Sequence, residues 1–188
     1  MHQTGFKRLI RVLSRTARTP LLAGLLVPVA GLGAEPAPIA AALERLNQAR
    51  SAAGLAEFTR SPALSRAAQS HADYVARHLP SPTDTAQTFI HRERPGAKGF
   101  TGKTPADRAQ AAGYPHSRVE ENVSLGREDP GAALDGLMTA IYHRLSLLDL
   151  GADEVGIGHS GKVHVVLTGS TELTAMCRGE RPEAIYHP

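Results

Sequence analysis

The chemistry this chain could perform rests on two histidines and an acidic pair in three separate segments: His91, Glu120-Glu121-Asn122 and His143-Arg144. Two imidazoles and a carboxylate brought together can hold a divalent metal or shuttle a proton. Zinc sites that keep an open position use three protein ligands, and His91, Glu121 and His143 would make such a set. Imidazoles with one carboxylate suit zinc or another borderline divalent ion. Other chemistries lack their residues. No His-Glu-x-x-His pair fixes two ligands on one helix, and the single cysteine, Cys177, offers neither a thiolate pair nor an internal disulfide. There is no Gly-x-Ser-x-Gly elbow, and Gly102-Lys103-Thr104 lacks the glycine spacing and strand of a phosphate loop. Ser124 lies near Glu121 in sequence, but nothing orients it as a nucleophile.

Each of these residues also has a plain structural reading. His91 is a loop histidine between Phe89-Ile90 and Arg92-Glu93-Arg94. Glu121-Asn122 could hold a turn or cap backbone N–H groups. His143 could steady a helix C-terminus. His71 falls on an apolar helical stripe, where a hydrogen-bonded, partly buried core histidine is expected rather than a ligand.

The elements that must position these residues follow from periodicity. Pro36 to Ala53 reads as a helix with Ile39, Leu43, Leu46 and Ala49 near one face, stopped by Gly54. Leu55 to Arg60 is a short extended link. Ser61-Pro62 supplies an N-cap and a first-turn proline for a helix reaching about His78, with Leu64, Ala68, His71 and Val75 on its stripe and Pro80 to Asp84 ending it. The chain from Gln87 to Lys103 is irregular. Thr104-Pro105 opens a short third helix stopped by Gly113, and Ser117 to Leu125 is a loop leading into a strand. Asp129-Pro130 opens a fourth helix through about Leu148, with Leu134, Leu137, Met138, Ile141 and Leu145 as its apolar face. Val155 to His159 and Val163 to Thr168 are strands joined by a compact turn at Ser160-Gly161. His159 and His164 flank that turn and are expected to be solvated. Helices first and an antiparallel hairpin last give an α+β class.

The first 34 residues read as an export signal, residues 1–34. Lys7, Arg8, Arg11, Arg15 and Arg18 precede an apolar stretch, Leu21 to Ala34, too short to span a bilayer comfortably. Cleavage is expected after Ala34. It removes five of the 21 Lys and Arg and none of the 18 Asp and Glu, leaving 16 against 18 and a net charge of −2. The basic balance belongs to the leader, so nucleic acid is excluded as a partner class. The mature chain then carries no transmembrane segment and suits one domain over residues 36–169. Residues 170–188 show little periodicity and read as an irregular, poorly anchored tail.

The ordered series Leu46-Asn47-Gln48-Ala49-Arg50, Pro62 to Ala76, a lone His91, Asp107 to Tyr114, Glu120-Glu121-Asn122-Val123, Leu137 to Arg144 and Glu154 to Gly158 resembles the CAP superfamily, in its bacterial branch. The resemblance covers roughly Ile39 to Gly169. It implies an α-β-α sandwich, a small antiparallel sheet between helices, with a cleft lined in the family by two histidines and two acids that bind a divalent metal in some members. Carried over, His91 and His143 are the histidines and Glu121 one acid. Glu120 stands where the family has glycine, and Leu137 where it has tryptophan. The second acid is missing: Ala140 or Thr139 stands at its place. Asn122 and Glu120 join the candidate cleft residues, and His116, in Pro115-His116-Ser117, is a turn residue within reach. Two functional readings follow. The favoured one is a secreted, non-catalytic binding module, periplasmic or extracellular, whose partner is a lipid, a cell-wall component or a protein. The alternative is a metal-dependent, peptidase-like hydrolase using His91, Glu121 and His143. A degenerate copy that keeps the fold alone is a third.

Overall fold

The computed structural model describes residues 36–79 and 90–171. The leader with its cleavage point, the Pro80 to Asp84 helix stop, the stretch 87–89, Cys177 and all but the first two residues of the C-terminal tail lie outside the described residues.

The elements run α1 (Ala37–Ala52), β1 (Thr59–Arg60), α2 (Pro62–His78), α3 (Pro105–Ala111), β2 (Val119–Leu125), α4 (Pro130–Thr139), α5 (Ile141–Leu147), β3 (Glu154–Ser160) and β4 (Val163–Gly169). The strands form one sheet in the order β1-β3-β4-β2. β4 pairs antiparallel with both β2 and β3, as expected. The two-residue β1, in the expected extended link, runs parallel to β3, so the sheet is mixed rather than purely antiparallel. A crossover through α2 and everything after it separates β1 from β3, and such a connection permits parallel pairing.

Helices cover both faces, giving the α-β-α layering. On one side α2 and α3 bury Leu64, Ala68 and Val75 against Val123, Val165 and Leu167. On the other, α1, α4 and α5 bury Leu46, Leu134 and Leu147 against Val155, Ile157 and Val166. Covered on both faces, β4 is buried at every position.

Local signals act largely as read. Thr104 and Asp107 form a reciprocal capping box at α3, and the Asp129 carboxylate accepts the Ala132 N–H at 2.8 Å. Ser61 sits at the N-cap of α2, but its side chain makes no capping bond. The hairpin loop is Gly161-Lys162, because Ser160 already pairs with Val163, and Gly161 takes φ +58°.

The expected fourth helix is two. Ala140, at φ −90° and ψ 122°, is extended and separates α4 from α5. Thr139 turns its hydroxyl back onto the Gly136 carbonyl at 2.7 Å, a bond that competes with the helix ladder. The break also re-aims the apolar face expected for a single helix: Ile141 and Leu145 are 58% and 63% exposed.

The seating of α2 on β3 depends on glycine. A Cβ on Gly156 would lie 2.1 Å from the Leu64 carbonyl carbon, and one on Gly158 2.3 Å from the Gln69 nitrogen. Backbone cannot yield as a flexible side chain can. Gly156→Ala is expected to lower stability by about 3 kcal/mol, read by urea unfolding. A variant that unfolds at the wild-type midpoint would show that the helix does not depend on this contact.

Candidate functional site

The site is built on the pleat of β2. Successive side chains of a strand point to opposite faces, so Glu121 and Asn122 diverge. Glu121 enters the α2–α3 side and Asn122 the α5 side. Each holds one of the two histidines.

The His91 Nδ1–H donates to Glu121 Oε1 at 2.9 Å. The Glu121 carboxylate is 1% exposed, and its Oε2 accepts the Arg108 Nη2–H at 2.5 Å. His71 Nε2 lies 3.6 Å from Oε1. Behind this pair sits Glu93. Its Oε1 is 2.9 Å from His71 Nδ1, and its Oε2 accepts the Thr101 N–H at 2.6 Å. The His71 Nε2–H donates to the Ile90 carbonyl at 2.7 Å. Both nitrogens of His71 therefore lie within hydrogen-bond distance of an oxygen, and the buried Arg108 guanidinium lies beside two carboxylates, Glu93 and Glu121. Burial alone would raise the Glu93 carboxyl pKa. The bonds from His71 and Thr101 and the Arg108 charge outweigh it and hold the group below its ordinary value.

On the other face, the His143 Nδ1–H donates to Asn122 Oδ1 at 2.8 Å, and Asn122 Nδ2–H donates to Ser146 Oγ at 3.1 Å. Asn122 is buried. Desolvation, and next the nearby His91, lower the His143 pKa below the ordinary imidazole value of 6.5.

With both Nδ1 atoms bound, the Nε2 atoms of the two histidines remain available to a cleft of about 850 Å³. Ile90, His91 and Arg92 form one side of it, Val123 and Leu125 lie between, and Ala140, Ile141, Tyr142 and His143 form the other. The structure thus brings His91 and His143 to one cleft, from opposite faces of the sheet.

The other candidate residues fall elsewhere. Glu121 is turned inward as the counter-charge of Arg108, rather than outward as a cleft ligand. Glu120 faces solvent beside Arg118, because the pleat points it away from the network. His116 stacks edge-on against Tyr114 at 5.1 Å and does not line the cleft. His164, expected to be solvated, is 1% exposed, with Nε2 donating to the Arg127 carbonyl at 2.9 Å. The central position of β4 buries it. His71 is the hydrogen-bonded core histidine expected, and is wholly rather than partly buried. Glu93 and Arg108 were not among the sequence candidates. Arg108 did stand within the Asp107 to Tyr114 motif, and Glu93 two residues after His91.

This arrangement tests the metal that the resemblance implies. Among the described residues, no group of three or more His, Cys, Asp or Glu side chains could hold a metal ion. Two imidazole nitrogens face the cleft, and the carboxylate that would complete a set accepts from Arg108 and His91. The residues present do not fit a site of three protein ligands, and no chemical step is derived through one.

Residues 43–165 match the family described as CAP, the cysteine-rich secretory protein family. An extracellular protein containing an SCP domain from Bacillus anthracis aligns with TM-score 0.57 at 19% identity, over 70% of this chain and 40% of that one. An outer surface protein from Borrelia burgdorferi aligns with TM-score 0.56 at 15% identity, over 71% and 92%. A cysteine-rich secretory protein from Staphylococcus aureus aligns with TM-score 0.52 at 14% identity, over 73% and 39%. Identities this low show a shared fold. The chain therefore spans well under half of the Bacillus and Staphylococcus chains. No curated protein sequence matches it.

Two outcomes are expected. Glu121→Gln leaves Arg108 buried without its counter-charge and should cost about 3–5 kcal/mol in urea unfolding, most of it recovered in Glu121→Leu/Arg108→Met. An equal loss in the double variant would mean that the pair is not a charge pair in energy. For His143, a lowered folded pKa means the neutral ring stabilises the fold. That stability is fully present above the unfolded value near 6.5 and is lost as pH falls through the lower folded value. His143→Asn should flatten the fall in stability below pH 6.5, and a wild-type ring titrating above 6.5 by NMR would contradict the assignment.

Proposed function

The chain belongs to the CAP, or cysteine-rich secretory protein, family, and from that premise we propose that it is an exported recognition module whose cleft binds a partner without transforming it. The observation that carries this reading is the inward commitment of Glu121. A general base or third ligand at the cleft would need a free carboxylate, and this one neutralises Arg108. What remains is a recognition surface: two imidazole Nε2 atoms, the Arg92 guanidinium and an apolar wall. Such a cleft fits a partner with apolar groups and a few hydrogen-bonding or anionic ones.

Export is part of the proposal. It is supported by the basic leader and short apolar stretch, and by relatives described as extracellular and outer-surface. No described helix is long and apolar enough to cross a membrane. Expressed with its leader, the chain is expected to reach the periplasm or medium with Glu35 as its first residue by N-terminal sequencing. Retention of an intact leader in the cytoplasm would count against export.

A metal-dependent, peptidase-like hydrolase is the other reading. The paired imidazoles favour it, and the missing third ligand weighs against it. A set of small alcohols, amides and carboxylates, followed by amide NMR, is expected to shift signals at Val123, Leu125, Ile141 and His143. Ile141→Glu should remove most of that response. Peptide and ester hydrolysis should stay at background with or without added zinc. Hydrolysis abolished both by a chelator and by His143→Ala would replace the recognition reading with the enzymatic one.

A further inference from the structure

The strand that carries the site, β2, is also one of the two outer strands of the sheet among the described residues. Its hydrogen-bond phase fixes which backbone groups face outward. Just beyond β2, the Gly126 N–H donates to the Lys162 carbonyl at 2.9 Å. In an antiparallel ladder, residue pairs alternate between bonded and non-bonded. The even-numbered residues of β2, Glu120, Asn122 and Ser124, therefore bond across to Thr168, Val166 and His164. The tight turn gives the same phase from the other side: Ser160 and Val163 close it, so the odd-numbered residues of β4 bond to β3. Glu121, Val123 and Leu125 then turn their N–H and C=O groups away from the sheet. Among the described residues, none of these groups has a hydrogen-bond partner.

This bare edge runs into the cleft, since Val123 and Leu125 line it. The two sides of the edge differ in chemistry. On the Glu121 face are His91 and the exposed Arg92, which has no carboxylate partner among the described residues. On the Asn122 face are Ile141 and Tyr142, 58% and 83% exposed. Among the described residues, no acid lines the cleft.

We propose that the cleft binds an extended peptide segment that pairs with the free edge of β2, its acidic side chains facing Arg92 and His91 and its alternate, apolar side chains facing Ile141 and Tyr142. The inference rests on the recognition reading above and names its partner. A row of unpaired N–H and C=O groups is complementary to another backbone, and strand addition takes its affinity from main-chain bonds and its specificity from alternate side chains. An alkyl chain would cover the apolar wall but leave the edge groups without partners. The period-two alternation of an added strand matches two walls of unlike chemistry on opposite faces of one edge. Charge selects the sign: an acidic side chain on this face meets the Arg92 cation and the His91 imidazole, whereas a basic one meets Arg92 in repulsion.

The test uses the full chain and the acetylated, amidated hexapeptide Asp-Val-Asp-Val-Asp-Val, by calorimetry and amide NMR. Binding should shift the Val123 and Leu125 amides and protect them from exchange. Two N-methylated versions, one for each set of alternate amides, should differ, with the version blocking the edge-facing set about tenfold weaker. Arg92→Glu should weaken the Asp-Val peptide about tenfold and favour a Lys-Val peptide instead. If both N-methylated peptides bind as tightly as the parent, backbone pairing is overturned. An Arg92→Glu protein that keeps the same preference overturns the charge assignment. Small fragments that bind the cleft when no peptide does would end this proposal and leave the recognition reading standing. Failure of both would end both.

Discussion

The two-residue repeat of a β-strand is the constraint on which this site depends. Because neighbouring side chains on β2 point to opposite faces, adjacent Glu121 and Asn122 reach into different halves of the molecule. Each fixes one histidine by its Nδ1–H, and both histidines line the one cleft. A register slip of one residue would exchange the faces: the carboxylate would lose Arg108, and the amide would be driven into the charge network. The pairing of β2 with β4 along the whole strand, and the burial of Val123 and Val165 against α2, hold the register in place.

The same constraint explains why the carboxylate serves the interior. A guanidinium taken out of water is costly unless it is paired and hydrogen-bonded. Arg108 is fully buried, and Glu121 and Glu93 are the carboxylates beside it. Glu93 is already engaged by His71 and Thr101, so Glu121 must answer most of the Arg108 charge. Its second oxygen can still orient His91. The carboxylate thus transmits the rigidity of the core to a ring at the surface. Burial of one partner and exposure of the other is what makes His91 a positioned group rather than a loop histidine.

Much of this was legible in the sequence, and the losses have physical causes. Helix stripes, caps at Thr104 and Asp129, and the terminal hairpin are short-range effects, readable because local spacing determines them. His71 was placed in the core by its helical period. Glu93 could not be placed, since a charge in an aperiodic loop looks the same whether it faces water or a buried histidine. The break at Ala140 was hidden because the apolar spacing from Leu134 to Leu145 continues across it, with no proline there to mark it. His164 was misread because β4 is covered on both faces, so alternation carries no information about burial.

The break and the bare edge bear on each other. Had α4 continued unbroken, Ile141 and Leu145 would have followed Leu134 and Leu137 toward the sheet, on the side where Ala140 now lines an open cleft. The extended residue at Ala140 instead starts a separate short helix that keeps His143 against Asn122 and leaves its apolar residues at the rim. Outer strands are usually protected from indiscriminate pairing by proline, lysine, a covering element or an inward-pointing charge. β2 has no proline or lysine, and it does have an inward charge in Glu121. That charge is neutralised by Arg108 only in the native register, so it disfavours slipped pairings while leaving the edge open in the correct one. An edge protected in this way, beside a rim of exposed apolar side chains, restricts what can pair with it.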